Sequence, residues 1–381
     1  MDWEKANHFL EKSDDDRKRA FIGFDGYIDT VSKLLSDSRS PLVTLKDFGD
    51  LLIGRDNRNA SLTLSRKYRK IGGNMPITAH ALGTLGVSVD CVGAFGKPDI
   101  AKEFLEMDPH CSLYSLADPG ECIAIEFQGS KLFLADHGEV AALTWQEMIR
   151  TIGKETMTQL ITGAAVIVLV NWGELPNMQK IWGSLYTEIV TELSDTDRSF
   201  FFDLSDCSGR HPDELYEVML MISKFRKYGK VILSVNDNEL ITLANIYKDK
   251  KQSNEDDEAF VSVNAKDLHQ HHKSIDAQEN IFGKLIFNTG FIDVLIHHGK
   301  HYVHIYSSAG SQSVMGNSVL EPVILTGGGD HFNAGFIFGL MADYPLLQCA
   351  EIGNAVSHAY VKRGESPAFD QLIKDVKQHS I

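Results

Sequence analysis

Six short apolar runs constrain the fold of this chain most. Ala20 to Phe24, Val87 to Val92, Ala165 to Val170, Ser199 to Leu204, Val231 to Val235 and Val294 to His297 are rich in β-branched and aromatic residues and bounded by turn residues. Such runs read as strands. The later ones stand far enough apart to admit a helix each, Pro176 to Leu193 and Pro212 to Phe225 among them. Strand–helix alternation of this kind predicts a mostly parallel sheet with helices on both faces, which is why its strands can be apolar throughout. One region breaks the rhythm. Glu121 to Phe127 and Lys131 to Ala135 flank the turn Gln128-Gly129-Ser130 and predict a hairpin. With 381 residues and 43% hydrophobic content, the chain suits one large α/β domain with a small appendage.

Charge narrows the partners. Lys and Arg number 37 against 52 Asp and Glu, a formal charge of −15. Nucleic acids and anionic membrane surfaces need a basic face, so neither is an expected partner. The five cysteines (Cys91, Cys111, Cys122, Cys207, Cys349) are scattered with no CxxC pair, which suits a reducing compartment and offers no zinc framework. The start, Met1-Asp2-Trp3-Glu4-Lys5, lacks the apolar core of a signal peptide, and the run Ala164 to Val170 is too short to span a bilayer. A cytoplasmic location is the expectation. The stretch 248–276 is polar, with Asn254-Glu255-Asp256-Asp257-Glu258 and His269-Gln270-His271-His272. Without cysteines or ordered ligand spacing it reads as a surface insertion rather than a metal site.

The strongest chemical signal is Thr326-Gly327-Gly328-Gly329-Asp330-His331-Phe332-Asn333-Ala334-Gly335-Phe336. It follows the apolar Val323-Ile324-Leu325 and runs into the helix-like Phe336 to Met341. Three glycines let backbone amides converge, and a helix start adds unsatisfied N–H groups and the positive end of its dipole. Such a turn binds an anion, usually phosphate. Asp330 would repel phosphate as a simple ligand. It makes chemical sense as the acceptor of a proton from a hydroxyl that attacks phosphorus. A side chain at Gly328 is expected to fill the place of the phosphoryl group. The alternative is a glycine-rich loop in which Asp330 caps the helix.

This segment resembles the signature of the ribokinase-like carbohydrate kinases, the phosphofructokinase-B group, in which a Gly-x-Gly-Asp run forms the anion hole and presents the catalytic Asp. The resemblance implies a three-layer α/β/α fold with a mostly parallel central sheet, ATP and Mg²⁺ as cofactors, and a sugar or sugar derivative as acceptor. It also implies a small β-sheet lid. On this basis 1–381 forms one kinase domain, with a lid built from segments near 25–70 and 113–140 that includes the predicted hairpin; an edge hairpin of the main sheet is the alternative. Lid sheets in the family often pair between subunits. Ile123, Ile125, Phe127, Leu132, Phe133 and Leu134 exceed what a two-stranded ribbon covers alone, so a homodimer through this region is expected.

Other segments extend the resemblance. Gly72-Gly73-Asn74-Met75-Pro76 runs into Ile77 to Leu85 and Gly86. Asn74 is expected to cap a helix with Pro76 in its first turn, Ile77, Ala81 and Leu85 on one face, and Gly86 as its stop. The two glycines let substrate approach the backbone. Together with the segment to Gly96, this resembles the family's N-terminal signature, making Gly72, Gly73 and Asn74 substrate-binding candidates. In Gly23-Phe24-Asp25-Gly26-Tyr27-Ile28-Asp29, leaving the first strand, the family places an Asp for substrate hydroxyls; Asp29 and Asp25 both qualify. Asn236-Asp237-Asn238-Glu239 follows Val231 to Val235, at the strand end where ligands of parallel sheets bind. It matches the family's Asn-x-x-Glu motif, which implies that Asn236 and Glu239 organise magnesium and Asn236 the nucleotide; a helix cap is the alternative. Gly299 is a further nucleotide candidate. So is Asn354, in the stretch from Asn354-Ala355-Val356-Ser357 to Gly364-Glu365-Ser366-Pro367 that looks like the family's nucleotide-binding helix and loop.

There are departures. Ile77 stands where the family usually has Asn, and Ile324 where it has an acid that supports a monovalent cation. His297-His298-Gly299 replaces Thr-x-Gly. Two alternatives follow: a nucleoside kinase on the same fold, with Phe127 and Phe133 stacking on a base, or a catalytically weak sugar- or nucleotide-binding regulator. Retention of Asp330 argues against the regulator, since a pure binding module has no use for a base beside phosphate. A dinucleotide-dependent dehydrogenase is disfavoured, because Gly23-Phe24-Asp25-Gly26 stands where a G-x-G-x-x-G turn would be.

Overall fold

The computed structural model describes residues 3–12, 18–35, 40–59, 61–128, 130–194, 196–253, 275–299, 302–316, 319, 322–324 and 326–379. Its larger sheet is assembled from β1 (Arg19–Gly23), β4 (Val89–Gly93), β5 (Cys111–Ser115), β8 (Ala164–Val170), β9 (Ser199–Asp203), β10 (Lys230–Val235), β11 (Val294–His298), β12 (Tyr302–Ser307) and β13 (Gly310–Met315). The order is β13-β12-β11-β10-β9-β8-β1-β4-β5. Pairing is parallel from β5 to β11 and antiparallel for β12 and β13 at one edge.

Both faces of the central strands of this sheet are buried, and their residues alternate between two cores. In β8, Ile167 and Leu169 join one apolar cluster while Val166, Val168 and Val170 join the other. In β9, Phe200 and Phe202 face the first and Phe201 the second. The first cluster is covered by α5 (Trp145–Ile152), α6 (Lys154–Gly163), α7 (Met178–Glu188), α8 (Pro212–Lys224), α9 (Asp237–Ser253) and α10 (Ile275–Phe287). The second is covered by α1 (Glu4–Leu10), α3 (Asn74–Thr84), α11 (Gly328–Met341), α12 (Leu346–Arg363) and α13 (Phe369–His379). This is the expected three-layer α/β/α arrangement. Most of the polar stretch 248–276, including its histidines, lies outside the described residues. So do Leu325 and Gly129.

A second, four-stranded sheet has the order β3-β2-β6-β7, from β2 (Tyr27–Leu35), β3 (Thr63–Gly72), β6 (Gly120–Phe127) and β7 (Ser130–Asp136). The predicted hairpin is β6–β7, and it belongs to this sheet rather than to the edge of the larger one. Residues 111–115 belong to the larger sheet, as β5. The premise of the expected dimer needs correction. The ribbon is not left to cover itself: Ile125 and Phe127 are buried with Leu34, with Ile123 and Leu132 packed against them, and Phe48 of α2 (Leu45–Ile53) stacks on Phe127 at 6.1 Å. Phe133 points to the opposite face, so of the six apolar residues Leu134 is the one exposed on the outer face, at 51%. Among the described residues no helix is long and apolar enough to cross a membrane. A short helix α4 (Gly138–Ala142) links the smaller sheet to α5.

Candidate active site

The smaller sheet lies over the C-terminal ends of the parallel strands, and a cavity of about 350 Å³ is lined from both sides. Gly327, Gly329, Asp330, Gly73, Asn74, Asp29, Asn236 and Glu239 all reach it. The first turns of α3, α9 and α11 and strand β2 thus bring together residues as distant in sequence as Asp29 and Asp330.

Asp330 sits in the first turn of α11, whose N-cap is Gly327 at φ +89° with no capping side chain. The positive φ is a conformation that favours glycine. His331 N–H donates to Gly327 O at 3.0 Å, and the amides before it are those a helix start leaves without intrahelical acceptors. Asn74 Nδ2 donates to Asp330 Oδ1 at 3.0 Å. Burial, followed by the nearby charge of Asp203, raises the Asp330 carboxyl well above the ordinary range, against the Asn74 hydrogen bond.

Asn74 therefore does not cap its helix. The N-cap of α3 is Gly73, at φ +87°, and the cap is supplied from afar. Asp25 Oδ2 accepts from Asn74 N–H at 3.1 Å and Oδ1 from Met75 N–H at 3.0 Å. Asn171 Nδ2 also donates to Asp25 Oδ2, at 2.7 Å. Asp25 is fully buried behind the cavity wall, and burial pushes it up to about 7. Asp29 lines the cavity, held up at about 6 by burial against the pull of Lys70 and Lys131. Gly72 makes room for it: a Cβ there would lie 2.1 Å from Asp29 Oδ1.

Asn236 and Glu239 realise the cap reading. Glu239 N–H donates to Asn236 Oδ1 at 3.1 Å, while Glu239 accepts from Asn236 N–H at 3.0 Å and from its Nδ2 at 2.7 Å. The same pair faces the cavity. Burial, then Asp203, raises Glu239 well above the usual carboxylate range.

Besides Asp25 and Gly72, three more candidates stand apart from the cavity lining. Gly299 forms the turn from β11 to β12, its N–H bonded to Tyr302 O. Asn354 Nδ2 donates to Met315 O at 3.1 Å, joining α12 to β13. A Cβ on Gly328 would meet Val361 Cγ2 at 3.4 Å and Ser357 Oγ at 3.6 Å, on α12. A side chain at Gly328 would therefore press on the neighbouring helix and not fill the phosphoryl position. Phe127 and Phe133 lie on opposite faces of the smaller sheet and form no stacking pair; only Phe133 lines the cavity.

The cavity also uses residues without a local motif. Asp203 ends β9, Asp206 follows it and Glu174 follows β8, strand ends where ligands of parallel sheets bind. Asn333, one turn along α11 from Asp330, donates to Asp203 Oδ2 at 2.6 Å and accepts from Ser234 Oγ at 2.7 Å, fixing the helix to β9 and β10. His298 also lines the wall and is held neutral, pushed down to about 4 by burial. From the smaller sheet, Lys70 Nζ donates to the Tyr360 hydroxyl at 3.2 Å and Lys131 Nζ to Thr326 Oγ1. Among the described residues no three His, Cys, Asp or Glu side chains stand placed to enclose a metal ion.

In sequence and in fold the chain is similar to known sugar kinases. A sequence model of the prokaryotic ketohexokinase family matches residues 6–281 and 272–379. A ketohexokinase of Haloferax volcanii is 26% identical over 364 residues, spanning 94% of this chain and 90% of that protein. The crystal structure of a probable sugar kinase from Rhizobium etli superposes with a TM-score of 0.64 at 14% identity, over 95% of this chain and 98% of that one. A putative ribokinase II of E. coli, solved in complex with ATP and Mg²⁺, superposes with a TM-score of 0.58 at 12% identity, over 95% of this chain and all of that one.

Proposed function

The chain belongs to the prokaryotic ketohexokinase family, carbohydrate kinases of ribokinase-like fold that transfer a phosphoryl group to an alcohol, and from that premise we propose that it moves the γ-phosphoryl group of ATP onto a hydroxyl of a ketohexose, with Asp330 as base. The observation that carries this reading is a carboxylate beside the uncapped start of α11, held by Asn74 and facing one cavity with Asp29.

In this mechanism Asp29 accepts hydrogen bonds from acceptor hydroxyls and sets their orientation. Asp330 takes the proton of the attacking hydroxyl. The new O–P bond forms as the bond from the γ-phosphorus to the ADP oxygen breaks, and the amides of Gly327, Gly328 and Gly329 take up charge on the transferring group. The lid formed by the smaller sheet excludes water that would otherwise compete for the phosphoryl group. The donor set fits Mg²⁺, which keeps most of its waters and takes one or two carboxylates plus phosphate oxygens. After burial, the nearby charge of Asp203 raises the affinity of Glu239 for protons, a repulsion a dication would relieve. Asn236 and Glu239 would hold it through its waters, and the ion would neutralise phosphate charge.

We also read the whole chain as one kinase domain working in the cytoplasm, where its five free cysteines suit a reducing environment. The homodimer expectation is retained through the outer face near Leu134 and α2, where Leu52 and Ile53 are also exposed. The nucleoside alternative loses its proposed base-stacking pair, and the regulator leaves the Asn74–Asp330 contact without a purpose. ATP consumption measured against fructose and other ketohexoses, aldoses, sugar acids, sugar phosphates and nucleosides tests the assignment. Phosphorylation of a ketohexose is expected; turnover of nucleosides alone would transfer the assignment to the runner-up.

A further inference from the structure

Three successive carbonyls of the glycine turn are held by side chains. The Tyr360 hydroxyl donates to Thr326 O at 2.8 Å, His331 Nδ1 pairs with Gly327 O at 2.6 Å, and Ser357 Oγ donates to Gly328 O at 2.8 Å. The His331 ring lies flat on Tyr360, centroids 3.5 Å apart and 11° from parallel, and its Nε2 pairs with Ser366 Oγ at 2.7 Å. Since Gly327 O is an acceptor, the proton sits on Nδ1 and Nε2 accepts from Ser366. Burial pushes this imidazole down to about 3, so the tautomer stays neutral and fixed. Lys70 of the lid donates to the same Tyr360 hydroxyl at 3.2 Å.

A trans peptide is planar, with its C=O and the following N–H pointing in opposite directions. Fixing the oxygens of residues 326, 327 and 328 therefore fixes the N–H groups of Gly327, Gly328 and Gly329. We propose that Tyr360, His331 and Ser357 are positioning residues that turn these carbonyls away from the cavity, so that the three amides are aimed at the transferring phosphoryl group before substrate arrives. This rests on the anion-hole reading of the turn. It assigns to α12 and His331 a part in transition-state stabilisation, and to Lys70 the link by which the lid touches that device. Preorganised donors cost no reorganisation during reaction, so loosening them lowers turnover rather than ground-state binding.

The test is Tyr360→Phe, which keeps the ring stack on His331 and removes one hydroxyl, beside Ser357→Ala. For each, kcat and KM are measured with ATP and fructose, and the affinities for ADP alone and for ADP with aluminium fluoride, a mimic of the transferring group, are measured by calorimetry. The expected result is kcat lowered roughly tenfold, less than the loss of a whole anion-hole donor. KM and ADP affinity should stay within about twofold, and the aluminium fluoride complex should weaken in step with kcat. The calorimetric readout stands even for a chain that does not turn over fructose. Gly329→Val, which crowds the turn where a Cβ would lie 3.3 Å from His298 Cε1, is the control. If Gly329→Val abolishes the fluoride-dependent gain and neither hydroxyl variant changes it, the clamp is wrong and the anion hole stands. If none of the three changes it, the anion hole falls and the clamp with it.

Discussion

Two glycine turns, Gly72-Gly73 and Gly327-Gly328-Gly329, each open a helix with a glycine N-cap at positive φ and no capping side chain of its own. They differ in what stands before the helix. At α3 a carboxylate of the chain itself, Asp25, already accepts from the first two amides. At α11 no side chain caps the start, and the nearby acid, Asp330, is turned to Asn74 instead. A helix start attracts anions through its free amides and dipole. An internal anion therefore converts the first turn into a rigid support, while the second keeps its electrostatic capacity for a ligand. The two meet at one contact, because Asp25 fixes the backbone of Asn74 and the Asn74 amide holds Asp330.

The largest effect expected from this contrast is at Asp330. Asp330→Asn keeps the size and removes the base, so turnover should fall by roughly 10²–10⁴ with folding and ATP binding retained. Steady-state kinetics and ATP titration check it, and unchanged turnover on an acceptor the parent phosphorylates would remove the proposed role. The base works ionised. Since its pKa is raised, activity should be lost on acidification at a pH above the usual carboxylate range. Asn74→Ala removes a donor that favours the ionised form, so the acid limb of the kcat profile should move to higher pH. A limb that stays in place would separate Asn74 from the base.

Next in size is the support itself. Asp25→Ala leaves the amides of Asn74, Met75 and Asn171 without their acceptor inside the protein, at a cost of roughly 1–3 kcal/mol of stability. Denaturant unfolding should show it, together with a lower kcat as Asn74 loses its anchor. Asp29→Asn should behave oppositely, with stability nearly unchanged and acceptor KM raised by about tenfold, the order of one charge-assisted hydrogen bond. If Asp25→Ala raised acceptor KM alone while Asp29→Asn destabilised the fold, the assignments would be reversed.

These differences mark how far the sequence could be read. The parallel sheet was legible in runs such as Ala165 to Val170, because strands buried on both faces are continuously apolar. The glycine turn beside Asp330 was legible because one local segment carries glycines, acid and helix start together. The division of labour between Asp25 and Asp29 was not, since both leave the same strand and only the packing of α3 distinguishes them. Asp203, Asn333, Lys70 and Tyr360 left no local signal either. The meaning of each arises only where elements meet. Gly328 misled for a related reason: the direction of its absent side chain depends on α12.

The smallest effect concerns assembly and contrasts the two faces of the smaller sheet. The inner face closes over the cavity through Asp29 and Phe133. The outer face is largely covered by α2, so Ile125→Glu would bury a charge at a position 2% exposed and destabilise the lid whatever the assembly. Leu134, 51% exposed on the outer face, is the informative site. Leu134→Glu should change stability by no more than about 0.5 kcal/mol, as expected for an exposed position. If two copies meet through this face, the added charges oppose each other across the contact, and light scattering at micromolar concentration should show a shift from dimer towards monomer. Because Asp29 and Lys70 belong to the same sheet, acceptor KM should rise with dissociation. A parent that scatters as a monomer over the same range removes the dimer and leaves the lid, the two glycine turns and the kinase chemistry in place.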